Sequence, residues 1–140
     1  MNLERLIDRL GLEEMEGGGW GVKLYSHRSG SQVVGQTGYR LVTSDHPVHL
    51  CKRNVDETWY RLEGDPCEQL VLLPDGNWHH FVLGGDKLVS VVPGGCWQAY
   101  RSSGYTLFAV LRLPVGGNLS SWDGSLAGCW SDCPYLEVMA

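Results

Sequence analysis

Gln69-Leu70-Val71-Leu72-Leu73-Pro74-Asp75-Gly76-Asn77-Trp78-His79-His80-Phe81-Val82-Leu83 reads as two short apolar strands folded back on one tight turn. Residues 69–73 and 78–83 carry strand character, and Pro-Asp-Gly-Asn between them has the residue types that turn geometry demands. The same rhythm extends outward in both directions. Strands are expected over 20–25, 39–43, 48–51, 57–62, 88–92, 96–101 and 105–113. Gly64-Asp65-Pro66, Gly84-Gly85-Asp86, Pro93-Gly94-Gly95 and Ser102-Ser103-Gly104 separate them. Short strands at such even spacing predict an antiparallel sandwich or barrel of jelly-roll type. Before the strands, Asn2 caps a helix over 3–10 with Leu3, Leu6, Ile7 and Leu10 on one face, and Gly11 ends it.

Composition agrees with an all-β domain. The chain has 140 residues, enough for one domain with its own core. Its 19 Gly suit tight turns, and its six Trp suit pleated faces. The whole chain is expected to form one domain: helix and Gly-rich turn over 1–19, barrel over 20–113, and a tail or lid over 114–140. A formal charge of −5 argues against nucleic acid or an anionic membrane as partner. No apolar run approaches the ~20 residues of a membrane helix, and the start lacks an apolar signal core, so a cytoplasmic location is expected. Five cysteines, an odd count at irregular spacing, form a poor disulfide framework. Cys129 and Cys133 are a weak zinc half-site, and reduced structural thiols are the better reading.

Four segments carry a family resemblance. They are 6–12 followed by Glu16-Gly17-Gly18-Gly19-Trp20 and, at 24–26, Leu-Tyr-Ser; Asp56-Glu57-Thr58-Trp59 running to Gly64-Asp65-Pro66; Leu72-Leu73-Pro74-Asp75-Gly76 leading to Val82-Leu83-Gly84; and Val91-Val92-Pro93-Gly94-Gly95-Cys96-Trp97-Gln98-Ala99. In this order they resemble a bacterial and fungal cupin family of unknown function. The resemblance implies a jelly-roll barrel with a ligand pocket inside it and a homodimeric assembly. It also implies a metal site of histidines and one glutamate. Glu57 and Gly64 keep the spacing of the first cupin motif, and Pro93-x-Gly95-x-x-Gln98 keeps the frame of the second. Gln98 stands where that frame places a histidine, and Cys51-Lys52-Arg53 occupies the upstream histidine stretch. No metal and no cofactor are therefore expected, because Glu57 with an amide falls short of a divalent-ion ligand set.

Strand alternation supplies the candidate site. With Glu57 inward, Trp59 and Arg61 follow; with Gln98 inward, Cys96 and Tyr100 follow; with Cys51 inward, His49 and Arg53 share its side. Glu57, Tyr100 and His49 are the candidate proton-transfer groups, since a buried carboxylate of raised pKa serves as general acid or base. Cys51, Arg53, Trp59, Arg61, Cys96 and Gln98 are the candidate substrate contacts, the arginines for an anionic group and Trp59 for a planar ring. His79 and His80 are neighbours on one strand and cannot both face inward. Three functions stay open. They are a metal-free isomerase, epimerase or cyclase working through Glu57, a cupin that binds a small molecule without chemistry, and a metal-dependent dioxygenase or decarboxylase with unusual ligands.

Overall fold

The computed structural model describes residues 2–114 and 118–140. Helix α1 (Leu3–Leu10) begins where the Asn2 side chain accepts a hydrogen bond from the Arg5 amide at 3.2 Å and stops at Gly11, whose φ of 69° is left-handed. Among the described residues eleven strands follow in chain order: β1 (Glu13–Glu14), β2 (Trp20–Ser29), β3 (Gln32–Thr43), β4 (Val48–Arg53), β5 (Asp56–Gly64), β6 (Cys67–Leu72), β7 (Trp78–Leu83), β8 (Val89–Val92), β9 (Trp97–Ser102), β10 (Tyr105–Leu113) and β11 (Leu119–Ser121). A 3-10 turn at Ala127–Trp130 and helix α2 (Leu136–Met139) close the chain. The β6–β7 hairpin pairs Leu72 with Trp78 and Gln69 with Phe81, as its turn residues predict.

The strands form two antiparallel sheets, ordered β1-β2-β3-β10-β5-β8 and β11-β4-β9-β6-β7. They face one another as a jelly roll and do not close into a continuous barrel. The edge strands β8 and β7 lie in different sheets, with no ladder joining them among the described residues. Between the sheets, Val42, Val48, Trp59, Leu83, Tyr100, Phe108 and Val110 make the inner core.

Both outer faces are partly covered. Helix α1 lays Leu6 against Leu41 and Leu107 on the first sheet. The tail packs Trp130, Cys133 and Met139 over Leu50, Leu70, Leu72 and Trp97 on the outer face of the second. Trp130 is fixed there by indole hydrogen bonds to the carbonyls of Leu73 and Asn77 at 3.0 and 3.2 Å. The tail thus covers a sheet face and does not lie over an opening of the sandwich. No helix of the described residues is long and apolar enough to cross a membrane.

Candidate functional site

Glu57 lies on the inner face of β5 and is only 2% exposed. Both of its oxygens are occupied. Oε1 accepts from Gln98 Nε2 at 2.7 Å and from Trp59 Nε1 at 3.3 Å. Oε2 accepts from Arg112 Nε at 2.8 Å and forms an ion pair with Arg112 Nη2 at 2.7 Å, and Arg53 Nε stands 3.6 Å away. Burial alone pushes this carboxyl up, but the Arg112 charge, the hydrogen bonds from Arg112 and Gln98, and Arg40 outweigh it. The net result lies below the ordinary glutamate value, so Glu57 is held as a carboxylate. This corrects the expectation of a raised pKa.

A chain of hydrogen bonds leads away from that carboxylate through the core. Tyr100 donates to Gln98 Oε1 at 2.6 Å and accepts from Gln69 Nε2 at 3.0 Å. Ser90 donates to Gln69 Oε1 at 2.8 Å. The run Ser90–Gln69–Tyr100–Gln98–Glu57–Arg112 crosses between the sheets twice, with every donor on the way pointing toward Glu57 (Arg112 donates from the far end). Low polarity around such a chain strengthens each bond and makes each unpaired member costly. The Tyr100 ring stacks on Trp59 at 3.9 Å, and Arg40 lies 5.5 Å from the Trp59 centroid. The phenol is fully buried, and burial pushes its pKa well above the ordinary value. Trp59 and Tyr100 are thus core groups held in a network, without an open ring face or a free proton.

The other candidates scatter. Cys51 faces inward with its sulfur 3.9 Å from the Gln98 carbonyl, and burial, opposed by Arg40, leaves its thiol at about 11. Between the pairs Val48–Tyr100 and Cys51–Gln98 the register shifts, with an extra residue on β4. Alternation therefore breaks: Val48 and Cys51 both face inward, Leu50 joins the outer core, and His49 is exposed with its amide bonded to Gly17 O at 2.8 Å. His49 does not reach Glu57. A second register shift, where β5 meets Leu107 and Phe108, accompanies Arg61 turning its guanidinium to the Gly64 carbonyl, away from Glu57. Cys96 is buried with Val71 and Val92 and takes no part in the network. His80 lies on the outer face against Glu68 and Tyr135, while His79 stacks beside Phe81, so the two do take opposite sides.

Three basic residues absent from the expected set build a charged recess in this region. Arg40 on β3 is anchored by hydrogen bonds to the carbonyls of Gly18 at 2.8 Å and Trp20 at 3.3 Å. Gly18, at φ 111°, runs so close to the Pro47 backbone that a Cβ would collide with it. Arg112 on β10 pairs with Gln36, and Lys23 on β2 pairs with Gly38. Lys23, Arg40 and Arg112 line a cavity of about 80 Å³ together with Gln36 and Thr37, and no Asp or Glu is among its described lining residues. The signal that would have found Arg112 is simple: it keeps step with the inward Phe108 and Val110 of its own strand.

The comparisons with known proteins agree with this architecture. Residues 4–129 match the model of a family described as Cupin superfamily (DUF985). The chain belongs to this cupin family. Among solved structures, a hypothetical protein from Leishmania major is similar over 100% of this chain and 99% of its own, with 22% identity and a TM-score of 0.86. A protein from Shewanella oneidensis is similar over 99% and 94%, with 21% identity and a TM-score of 0.83. A cupin-2 domain protein from Rhodospirillum rubrum covers 91% and 86%, with 14% identity and a TM-score of 0.68. No curated protein matches the chain.

Cupins of the histidine–glutamate type imply a metal, and the donor set of this cupin does not fit one. Among the described residues no three His, Cys, Asp or Glu converge. Glu57 has given both oxygens to neutral and cationic donors, and Arg112, Arg53 and Arg40 surround the place a dication would take.

Proposed function

We propose that this cupin binds a small molecule by seating its anionic group, a carboxylate or a phosphate, in the recess between β2, β3 and β10. One observation carries the reading. In a chain of formal charge −5, Lys23, Arg40 and Arg112 line one cavity of about 80 Å³, with no carboxylate among its described lining residues. Guanidinium groups present paired N–H donors that match such oxyanions, and an ammonium adds a mobile charge. Glu57 neutralises only part of this cluster and holds Arg112 in place for the ligand.

The isomerase, epimerase or cyclase reading asks more of the site than its geometry offers. It needs Glu57 to exchange a proton, yet three hydrogen bonds and the Arg112 ion pair hold this carboxylate ionised. The Tyr100 hydroxyl is committed to a hydrogen bond with Gln98 Oε1, and His49 is exposed away from Glu57. Binding without turnover is therefore the reading the arrangement favours. The five free cysteines, all but Cys129 buried, suit a cytoplasmic setting for it.

Calorimetric titration with inorganic phosphate and with malonate tests the proposal. Saturable binding is expected, weakened by added salt and by about ten-fold in Lys23→Ala, the loss of one charge-assisted contact. Absence of binding for both anions, or equal affinity in Lys23→Ala, would overturn it.

A further inference from the structure

The opposite side of the sandwich holds a larger opening. Edge strands β7 and β8 face one another without pairing, and a cleft of about 450 Å³ lies between them. Its walls are Val71, Phe81 and Cys96, and its rim carries Val91, which is 61% exposed. Polar groups sit at defined places. Lys87 Nζ stands 4.4 Å from the Phe81 ring centroid, and the His79 ring stacks at 5.7 Å on the same phenyl group. No Asp or Glu is among the described lining residues, although the chain carries 16 acids against 11 Lys and Arg. Ser90 closes the inner end, its proton already donated to Gln69.

We propose that this cleft is a second binding site, distinct from the arginine recess, for an aromatic monocarboxylate. Size separates the two sites. An apolar cavity of about 150 Å³ holds a benzene ring; the recess of about 80 Å³ is smaller than that and suits an anionic group alone, whereas the cleft of about 450 Å³ has room for a fused ring. Largely apolar clefts of this size with a few placed polar groups are the usual form of small-molecule sites. The ring lies against Phe81, Val71 and Cys96, where a flat aromatic surface gains most from stacking. The carboxylate meets Lys87, a single flexible ammonium without the guanidinium fork that a phosphate favours. Ser90 cannot serve as anion donor because its proton is committed, which leaves the charged end of the ligand at the Lys87 rim.

Titration of 2-naphthoate into the full chain, followed by calorimetry and amide NMR, tests this. Saturable one-to-one binding is expected, with shifts confined to β6, β7, β8 and the start of β9. Lys87→Ala, a rim substitution that leaves the core intact, should weaken it about ten-fold, the worth of one charge-assisted contact. The neutral 2-naphthamide should bind the unaltered chain about as weakly as the acid binds Lys87→Ala. Saturating phosphate should leave the 2-naphthoate affinity unchanged, so that failure here and failure of the recess reading are separate results. No saturable binding, equal affinity in Lys87→Ala, or displacement by phosphate would each overturn the proposal.

Discussion

Replacing Glu57 by Gln removes one charge and almost no volume, and the consequences follow from what surrounds it. The side chain of Glu57 is 3% exposed and that of each partner, Arg112 and Arg53, is 18% exposed. Leaving one member of a fully buried pair uncompensated destabilises by roughly 3–5 kcal/mol. Because both guanidiniums retain some water contact, about 2–3 kcal/mol is the expected loss here. The glutamine oxygen keeps the Gln98 and Trp59 contacts, but its amide nitrogen now faces the Arg112 donors. For a chain of this size that loss corresponds to a fall in Tm of about 6–12 °C, read by scanning fluorimetry at neutral pH. The pH dependence has a definite sign. A carboxyl with a depressed folded-state pKa contributes its stability fully above the ordinary glutamate value of about 4.3 and loses it as pH falls through the lower folded value. The gap between wild type and E57Q should therefore be full at pH 7 and shrink steadily in acid below pH ~4. Equal Tm values at pH 7, or a gap that does not change in acid, would refute the ion-pair account of Glu57.

Three further outcomes follow from the same geometry. Tyr100→Phe keeps the stack on Trp59 but strands Gln69 Nε2 and Gln98 Oε1; a loss of about 2–4 kcal/mol at unchanged m is expected in urea unfolding. Iodoacetamide should modify one thiol quickly in the native chain, the exposed Cys129, as counted by intact mass. Cys51 at about 11 and Cys67 at about 12 stay as buried thiols and should react only on unfolding. Trp130→Ala opens a hole over Leu70, Leu72 and Trp97 and removes the indole bonds to Leu73 and Asn77. Its cost should be about 3–5 kcal/mol, with dye binding to the uncovered sheet face as a second readout.

Features that depend on neighbours in sequence were legible, and those that depend on partners across the sandwich were not. The Asn2 cap and the Asp75 turn, where Asp75 Oδ1 accepts the Asn77 amide at 2.9 Å, are local devices, and the elements they start or join were read correctly. The first half of β3 escaped because Gly35 and Gly38 interrupt its apolar pattern, although Gly38 is needed: a Cβ there would collide with the Val22 carbonyl. The tail escaped because its Trp, Cys and Leu residues follow no strand or helix period and are ordered only by the sheet face beneath them. At the site, the cupin frames located Glu57 and Gln98, which do touch at 2.7 Å. Alternation then placed His49 wrongly, because a bulge in β4 is a property of its pairing with β9 and leaves no mark in β4 itself. The deepest error was the sign of the Glu57 shift. Burial, which the strand pattern does report, pushes a carboxyl up. The guanidinium that reverses this comes from Arg112, 55 residues away, aided by Arg40 from β3 and Arg53 from β4. A buried acid is thus a proton-transfer candidate only until the inward positions of every facing strand have been checked for a cation.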